Sequence, residues 1–361
     1  MKKINKILII IQRSNGDVFL SLSLINLLYA NFKNPKIDLL VNDDTSAIAK
    51  LFPNINFIHE FSYKKKYQNG FNQERKLITN IFRKYDLSIN LTSSDRSVLY
   101  CILSSNNSIS AIENINKKSW WKKILLKHYY YYDSNKHVLL NNLKPLSLLK
   151  IKHKLIQDSP IASHEANQSV NKLLNKYNIK NFVIFHPSAQ YEYKIFPEHL
   201  RNKLLGLLST LGIPIIVTGS NNLIDSKIKK EIPVLKNIYN FIGKTSIEEY
   251  LSLSQLSSAY IGMDTLNMHI ASSQNKRIFA IFGPTNLKMW SPWSNTIQKA
   301  SQQNKLCQTY ENITIFQGAL PCVACGKAGC DNQKGRSECL YIIDPKSIFN
   351  EVSNWCKDEQ F

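Results

Sequence analysis

Twice along this chain a short aliphatic run breaks into a polar loop, continues as a helix-like stretch and returns as a second aliphatic run. The first instance reads KILIII, a turn, LSLSLINLLYANF and KIDLLV; the second reads NFVIFH, a longer loop, PEHLRNKLLGLLSTLG and IPIIVTG. Aliphatic runs this short, bounded by turns, fit strands buried on both faces, and their alternation with helices predicts parallel sheets covered on both sides. In the second helix Leu200, Leu204, Leu207, Leu208 and Leu211 keep a helical spacing, with Pro197 near the start and Gly212 at the end. FIGKTSIEEYLSLSQLSSAYIGMD and RIFAIFGP extend the second unit with further short strands. The repeat is one of plan, not of sequence. It predicts an α/β chain of two Rossmann-like domains facing across a deep cleft, with ligands at the carboxyl ends of the strands. The polar stretch from about 150 to 180 joins the halves, and the boundary is placed within it: 1–165 for the N-terminal domain, 166–361 for the C-terminal domain with its Cys-rich tail and terminal helix.

A chain of 361 residues is long enough for two cores. No apolar stretch approaches the ~20 residues that span a bilayer. The opening MKKINKILIII has the outline of a signal peptide, but its apolar part is short and Gln12-Arg13-Ser14-Asn15 offers no small-residue cleavage site. It reads as a first buried strand in a cytoplasmic protein. The formal net charge of +20 implies attraction to polyanions, whether nucleic acid, an anionic membrane face or a phosphorylated substrate. A lysine-rich background composition explains the same number. In a reducing compartment the seven cysteines are not expected to form disulfides. Cys322, Cys325, Cys330 and Cys339 approximate a structural zinc spacing, although the second pair is not a CxxC; incidental thiols are the alternative.

The first loop, after ILIIIQ, holds Ser14, Asn15, Gly16 and Asp17. A strand running through a Gly turn into a helix has the form of a phosphate cradle, which wants amide N–H groups and positive charge. Asp17 has the wrong sign for that and the right chemistry for taking a proton from a hydroxyl. In the corresponding second loop, HPSAQYEYKIFPEHL, Ser188 and Ala189 stand just beyond a strand and Lys194 shortly before a helix. Charge and helix dipole together suit a leaving pyrophosphate, while an ordinary surface lysine is the plainer reading. In GMDTLNMHIA, Asp264 either caps the following helix or accepts hydrogen bonds from sugar hydroxyls; His269 is either a site residue or a core histidine. Trp290 and Trp293, after the turn Gly283-Pro284-Thr285, line the cleft or pack. NKKSWWKKILLKHYYYY mixes lysines with aromatics, suiting a phosphorylated lipid at a membrane surface or simply an exposed basic loop beside a buried aromatic segment.

Taken in order and at their spacings, these segments resemble glycosyltransferase family 9, the bacterial ADP-heptose:lipopolysaccharide heptosyltransferases, over nearly the whole chain. YDLSINLT, WSPWSN and the tail ITIFQGALPCVACGKAGC…SECL are most similar to the heptosyltransferase III branch. The resemblance implies a GT-B fold and an inverting, metal-independent transfer of heptose from ADP-L-glycero-D-manno-heptose to the inner core of lipopolysaccharide. It puts the acceptor on the N-terminal domain and the donor on the C-terminal domain. By motif match Asp17 falls at the general base and Lys194 at the donor phosphate. Asp264, Thr265, Leu266 and His269 fall in the donor motif, and Ser188, Ala189, Asn222 and Thr245 in the loops around it. Ser14, Asn15, Gly16, Trp120, Lys122 and Lys123 are the matching acceptor-side candidates. Leu266 departs from the family's glycine, and Asn222 from an acid that meets adenosine. These departures keep open a GT-B transferase using another sugar nucleotide. The charge keeps open a non-enzymatic polyanion binder, although no nucleic-acid partner is expected. No cofactor is required; ADP-heptose is the expected donor, and an anionic inner-membrane surface an expected partner.

Overall fold

The computed structural model describes residues 4–114, 119–333 and 335–359, without the side chains of 67–69. The chain divides into two compact units, one through Pro160 and one from Ile161. The division falls in the irregular segment 151–163, a few residues before the helix His164–Lys176 that Ser163 opens by accepting the Ala166 N–H.

The first unit is built on six parallel strands, β1 (Lys6–Ile11), β2 (Lys36–Asn42), β3 (Ile55–Phe61), β4 (Leu87–Asn90), β5 (Ser108–Ile112) and β6 (His128–Tyr131), in the order β3-β2-β1-β4-β5-β6. The isoleucine run makes β1 the natural centre, because Ile7 to Ile11 are all buried and only aliphatic side chains suit a strand covered on both faces. Ile9 lies in register between Leu39 and Ile89. The turn expected after β1 itself holds a short helix, Asn15–Phe19, before the expected helix runs over Leu22–Asn31. The break comes at Ser21, whose hydroxyl donates to the Val18 carbonyl at 2.6 Å and competes with helical pairing.

The second unit carries β7 (Val183–His186), β8 (Ile215–Val217), β9 (Ile238–Asn240), β10 (Ala259–Met263), β11 (Arg277–Phe282), β12 (Cys307–Tyr310) and β13 (Ile313–Gln317), ordered β12-β13-β11-β10-β7-β8-β9. All pairs are parallel except β12 with β13, an antiparallel edge that the repeated plan did not announce. Its core joins Val183, Phe185, Ile215, Ile261 and Phe279 to Ile348 and Val352 of the helix Pro345–Asp358. Gly262 faces His186 across β10 and β7, where an added Cβ would come within 2.4 Å of the His186 carbonyl oxygen. The two strand ends can approach so closely only because that residue is glycine.

Each sheet has one place where successive crossovers leave in opposite directions. In the first unit β1 leads outward to β2 and β3, and the chain then returns to β4 on the other side of β1. In the second, β7 leads to β8 and β9, and the chain returns to β10 on the other side of β7. In open α/β sheets ligands bind outside the carboxyl ends of the strands at such a point.

One expectation is corrected here. Among the described residues no group of three or more His, Cys, Asp or Glu side chains stands where it could hold a metal ion, so the zinc reading of Cys322, Cys325, Cys330 and Cys339 is not supported, although burial and then the neighbouring Cys330, Cys325 and Cys322 push the Cys339 thiol up to about 11. Three of these thiols are exposed on irregular chain, while Cys339 is buried. The Cys330 sulfur accepts the Glu338 N–H at 3.3 Å, and the Cys339 carbonyl packs where a Cβ on Gly318 would come within 2.0 Å. Trp293 is a packing residue: it is buried, and its carbonyl accepts the Ser272 hydroxyl at 2.7 Å. Among the described residues no helix is long and apolar enough to cross a membrane.

Candidate active site

At the first unit's switch point β1 ends and the chain turns through Arg13 and Ser14 into the short helix Asn15–Phe19. Asp17, in that helix's first turn, is buried, with Ser14 Oγ donating to Oδ2 at 2.7 Å. The Arg13 Nε stands 2.9 Å from Oδ1, and the Arg13 guanidinium lies over the Tyr132 ring at 4.8 Å. The carboxylate is therefore held from both sides, by the Ser14 hydroxyl and by the Arg13 guanidinium. Ser14 is exposed, and Asn15 and Gly16 are half-buried beside it. Arg13 was missed in the sequence; its signal is the four-residue spacing from Asp17.

The other acceptor-side candidates separate. Lys122 does not present its ammonium to a ligand. It is buried and spends Nζ on the Ser93 carbonyl at 2.7 Å, Asp95 Oδ1 at 2.8 Å and Glu113 Oε2 at 3.3 Å, tying the helix Trp120–Leu125 to the ends of β4 and β5. Trp120 and Lys123 are exposed on that helix, well along the sheet from β1 in strand order. Residues 115–118 of the same basic and aromatic stretch lie outside the described residues.

In the second unit the donor candidates gather at the carboxyl ends of four neighbouring strands. Ser188 and Ala189 follow β7, Asn222 follows β8, Thr245 follows β9, and Asp264, Thr265 and Leu266 follow β10. Lys194 closes a short turn, Glu192–Lys194, and its Nζ meets Asp264 Oδ2 at 2.7 Å. Asp264 is buried at the start of the helix Leu266–Ser273, where the helix dipole and the ammonium both favour a carboxylate. Asp264 is not the helix cap. Thr265 holds that position, in extended backbone, and makes no side-chain capping bond; its buried Oγ1 has no hydrogen-bond partner among the described residues. Leu266, the first helical residue, sits half-buried, so this backbone does not demand the family's glycine there.

His269 is buried one turn on, and its burial, offset by Asp264 and reinforced by Lys194, pushes its pKa down to about 4. His186, at the end of β7, is pushed down to about 4 by burial against the pull of Asp225. Its Nδ1 lies 3.0 Å from both Thr218 Oγ1 and Asn267 Nδ2. Both imidazoles are neutral at neutral pH. Ser188 does not offer its hydroxyl outward; it donates to Asp225, a buried acid that also accepts the Ser220 N–H. Asn222 caps the helix Leu223–Glu231 by accepting the Asp225 N–H at 2.8 Å. Asp225, three residues on, binds the β7 and β8 loops together through Ser188 and Ser220. The signal for it was the Asn-x-x-Asp spacing of a helix start.

Comparison with known proteins bears on the family and the fold. The profile of glycosyltransferase family 9 (heptosyltransferase) matches residues 75–318. Lipopolysaccharide heptosyltransferase 3 of Escherichia coli strain K12 is 26% identical over 300 residues, covering 79% of this chain and 84% of the relative. Among solved structures, the ADP-heptose lps heptosyltransferase II of E. coli superposes with a TM-score of 0.71 at 16% identity, covering 99% of this chain and all of that one. E. coli heptosyltransferase WaaC with ADP-2-deoxy-2-fluoro heptose gives 0.69 at 13% identity, covering 97% and 99%. At such identities the structural likeness shows the fold, which is GT-B, while the match over most of the chain shows the family. The chain is a glycosyltransferase and belongs to glycosyltransferase family 9 (heptosyltransferase).

Proposed function

We propose that the chain transfers heptose from ADP-L-glycero-D-manno-heptose to the inner core of lipopolysaccharide with inversion at the anomeric carbon, and that Asp17 is the general base. The observation that carries this reading is the buried Asp17 carboxylate, fixed by Ser14 and Arg13 at a switch point where a phosphate cradle would need the opposite sign. In a single displacement the acceptor hydroxyl attacks as Asp17 takes its proton, the bond from the anomeric carbon to the diphosphate oxygen breaks, and ADP leaves with the electron pair. A positioned base contributes roughly 10²–10⁴-fold. The second unit holds the donor. Lys194 and the start of the helix Leu266–Ser273 meet the charge that grows on the diphosphate, and Asp264 is left to accept hydrogen bonds from sugar hydroxyls. The ADP-heptose donor follows from the relatives' named substrates and from the donor motif. The same reading puts the enzyme at the cytoplasmic face of the inner membrane, where a lipid-linked acceptor is available.

The test is a transfer assay with a heptose-truncated lipopolysaccharide core, offering ADP-heptose against UDP- and GDP-sugars. ADP release with a matching mass gain on the acceptor, and opposite anomeric configuration in donor and product by NMR, are expected only with ADP-heptose. Preference for a UDP- or GDP-sugar would overturn the donor; salt-sensitive DNA binding with no sugar-nucleotide binding would overturn the enzyme reading.

A further inference from the structure

Beside β6, the edge strand of the first sheet, the helix Trp120–Leu125 turns three large apolar side chains to solvent: Trp120 is 65% exposed, Ile124 69% and Leu125 54%. Tyr129 and Tyr131 of β6 are exposed next to them in sequence, and Lys123 Nζ stands 5.4 Å from the Tyr131 ring. Scattered exposed apolar residues need no explanation, but five within twelve positions on adjoining elements do. From Trp120 to Tyr132 there is no acidic residue, and Lys123 and Lys127 are exposed among the apolar groups. The helix is not loosely attached. Lys122 pins it from beneath through Ser93, Asp95 and Glu113, which holds the apolar face outward and occupies the two nearby carboxylates.

We infer that this face docks the enzyme on an anionic phospholipid bilayer. Aliphatic and indole side chains enter the acyl boundary, tyrosines suit the headgroup level, and lysines meet anionic headgroups. Other occupants fit less well. A second copy adding its own β6 to this edge would meet the Tyr131 carbonyl already taken by Lys144 Nζ at 2.7 Å, and would bring like-charged lysines together. Single-stranded nucleic acid would stack on the aromatics, yet Ile124 and Leu125, the residues flanking the lysines, offer bases no stacking face. The inference rests on the function proposed above in one respect, that a lipid-linked acceptor is met at a membrane.

Flotation of the full chain with vesicles tests it. At low salt the chain is expected to float with vesicles of phosphatidylethanolamine and phosphatidylglycerol and to remain behind with phosphatidylcholine alone. Ile124→Ser with Leu125→Ser, and separately Lys127→Glu, should each cut binding by roughly tenfold or more with melting unchanged. Failure of the unmodified chain to float, or flotation of the double variant like the unmodified chain, would overturn the proposal. So would a dimer in light scattering that Ile124→Ser dissolves. The assay contains no sugar nucleotide. A chain that floats but transfers no heptose keeps the surface and loses the reaction; one that transfers to a detergent-dispersed acceptor but never floats does the reverse.

Discussion

Lys194 Nζ and Asp264 Oδ2 lie 2.7 Å apart, so the cation assigned to donor phosphate and the acid assigned to donor sugar are already partners. Asp264 is the more deeply buried of the two, with the helix Leu266–Ser273 beginning beside it. Removing the ammonium takes from that buried carboxylate the cation that compensates it and leaves the weaker helix dipole. Lys194→Ala is therefore expected to weaken ADP-sugar binding and to cost about 1–3 kcal/mol of stability. Adding Asp264→Asn should restore much of the stability but none of the binding. Calorimetric titration with ADP-heptose and urea unfolding separate the two effects, and an unchanged donor affinity in Lys194→Ala would remove the phosphate role.

The fold was legible because aliphatic runs such as Ile7 to Ile11 and Ile278 to Phe282 can only be strands buried on two faces, and the helices between them are punctuated by Pro197, Gly212 and serine caps. Asp17 stood out in the sequence through its sign, in a loop otherwise shaped for an anion. What stayed hidden was pairing. Nothing in WWKKILLK distinguishes Lys122, which is buried against three oxygens, from Lys123, which is exposed, because one position along a helix turns a side chain by about 100°. The cysteine spacing resembled a metal site because spacing records separation along the chain and not the distances and angles that four ligands must meet at once. Asp225 went unremarked because its partner Ser188 lies 37 positions away and leaves no local mark in the sequence.

Asp17→Asn keeps the side chain's size and its contact with Ser14 but loses the basic oxygen. Turnover is expected to fall by ~10²–10⁴-fold with ADP-heptose affinity nearly intact, since the donor residues lie in the other unit. Steady-state rates with the truncated core, beside calorimetry, check this. Turnover equal to that of the unmodified enzyme would end the base assignment.

Lys122→Met should act on the fold and not on the substrate. It removes the ammonium that bridges Ser93, Asp95 and Glu113, but Asp95 and Glu113 are exposed enough to regain water. The expected cost is about 1–3 kcal/mol, chiefly the unpaired Ser93 carbonyl, read by urea unfolding. KM for the acceptor should stay the same in whatever fraction remains folded. A raised KM with unchanged stability would return Lys122 to the acceptor site.

The buried histidines set a pH limit on the second unit. His269 and His186 are both pushed down to about 4, while an unfolded histidine titrates near 6.5. Between these values the unfolded chain binds protons that the folded chain refuses. Stability from this source is fully present above about pH 6.5 and is lost progressively as pH falls toward 4; below that the folded imidazoles protonate and no further loss comes from them. For His269 alone the loss between about pH 7 and about pH 5 comes to about 2 kcal/mol. Urea unfolding at the two pH values should show the decline, and His269→Gln should flatten it by about that amount. A variant as pH-sensitive as the unmodified protein would mean that His269 titrates alike in both states, so that its environment beside Asp264 and Lys194 admits an imidazolium.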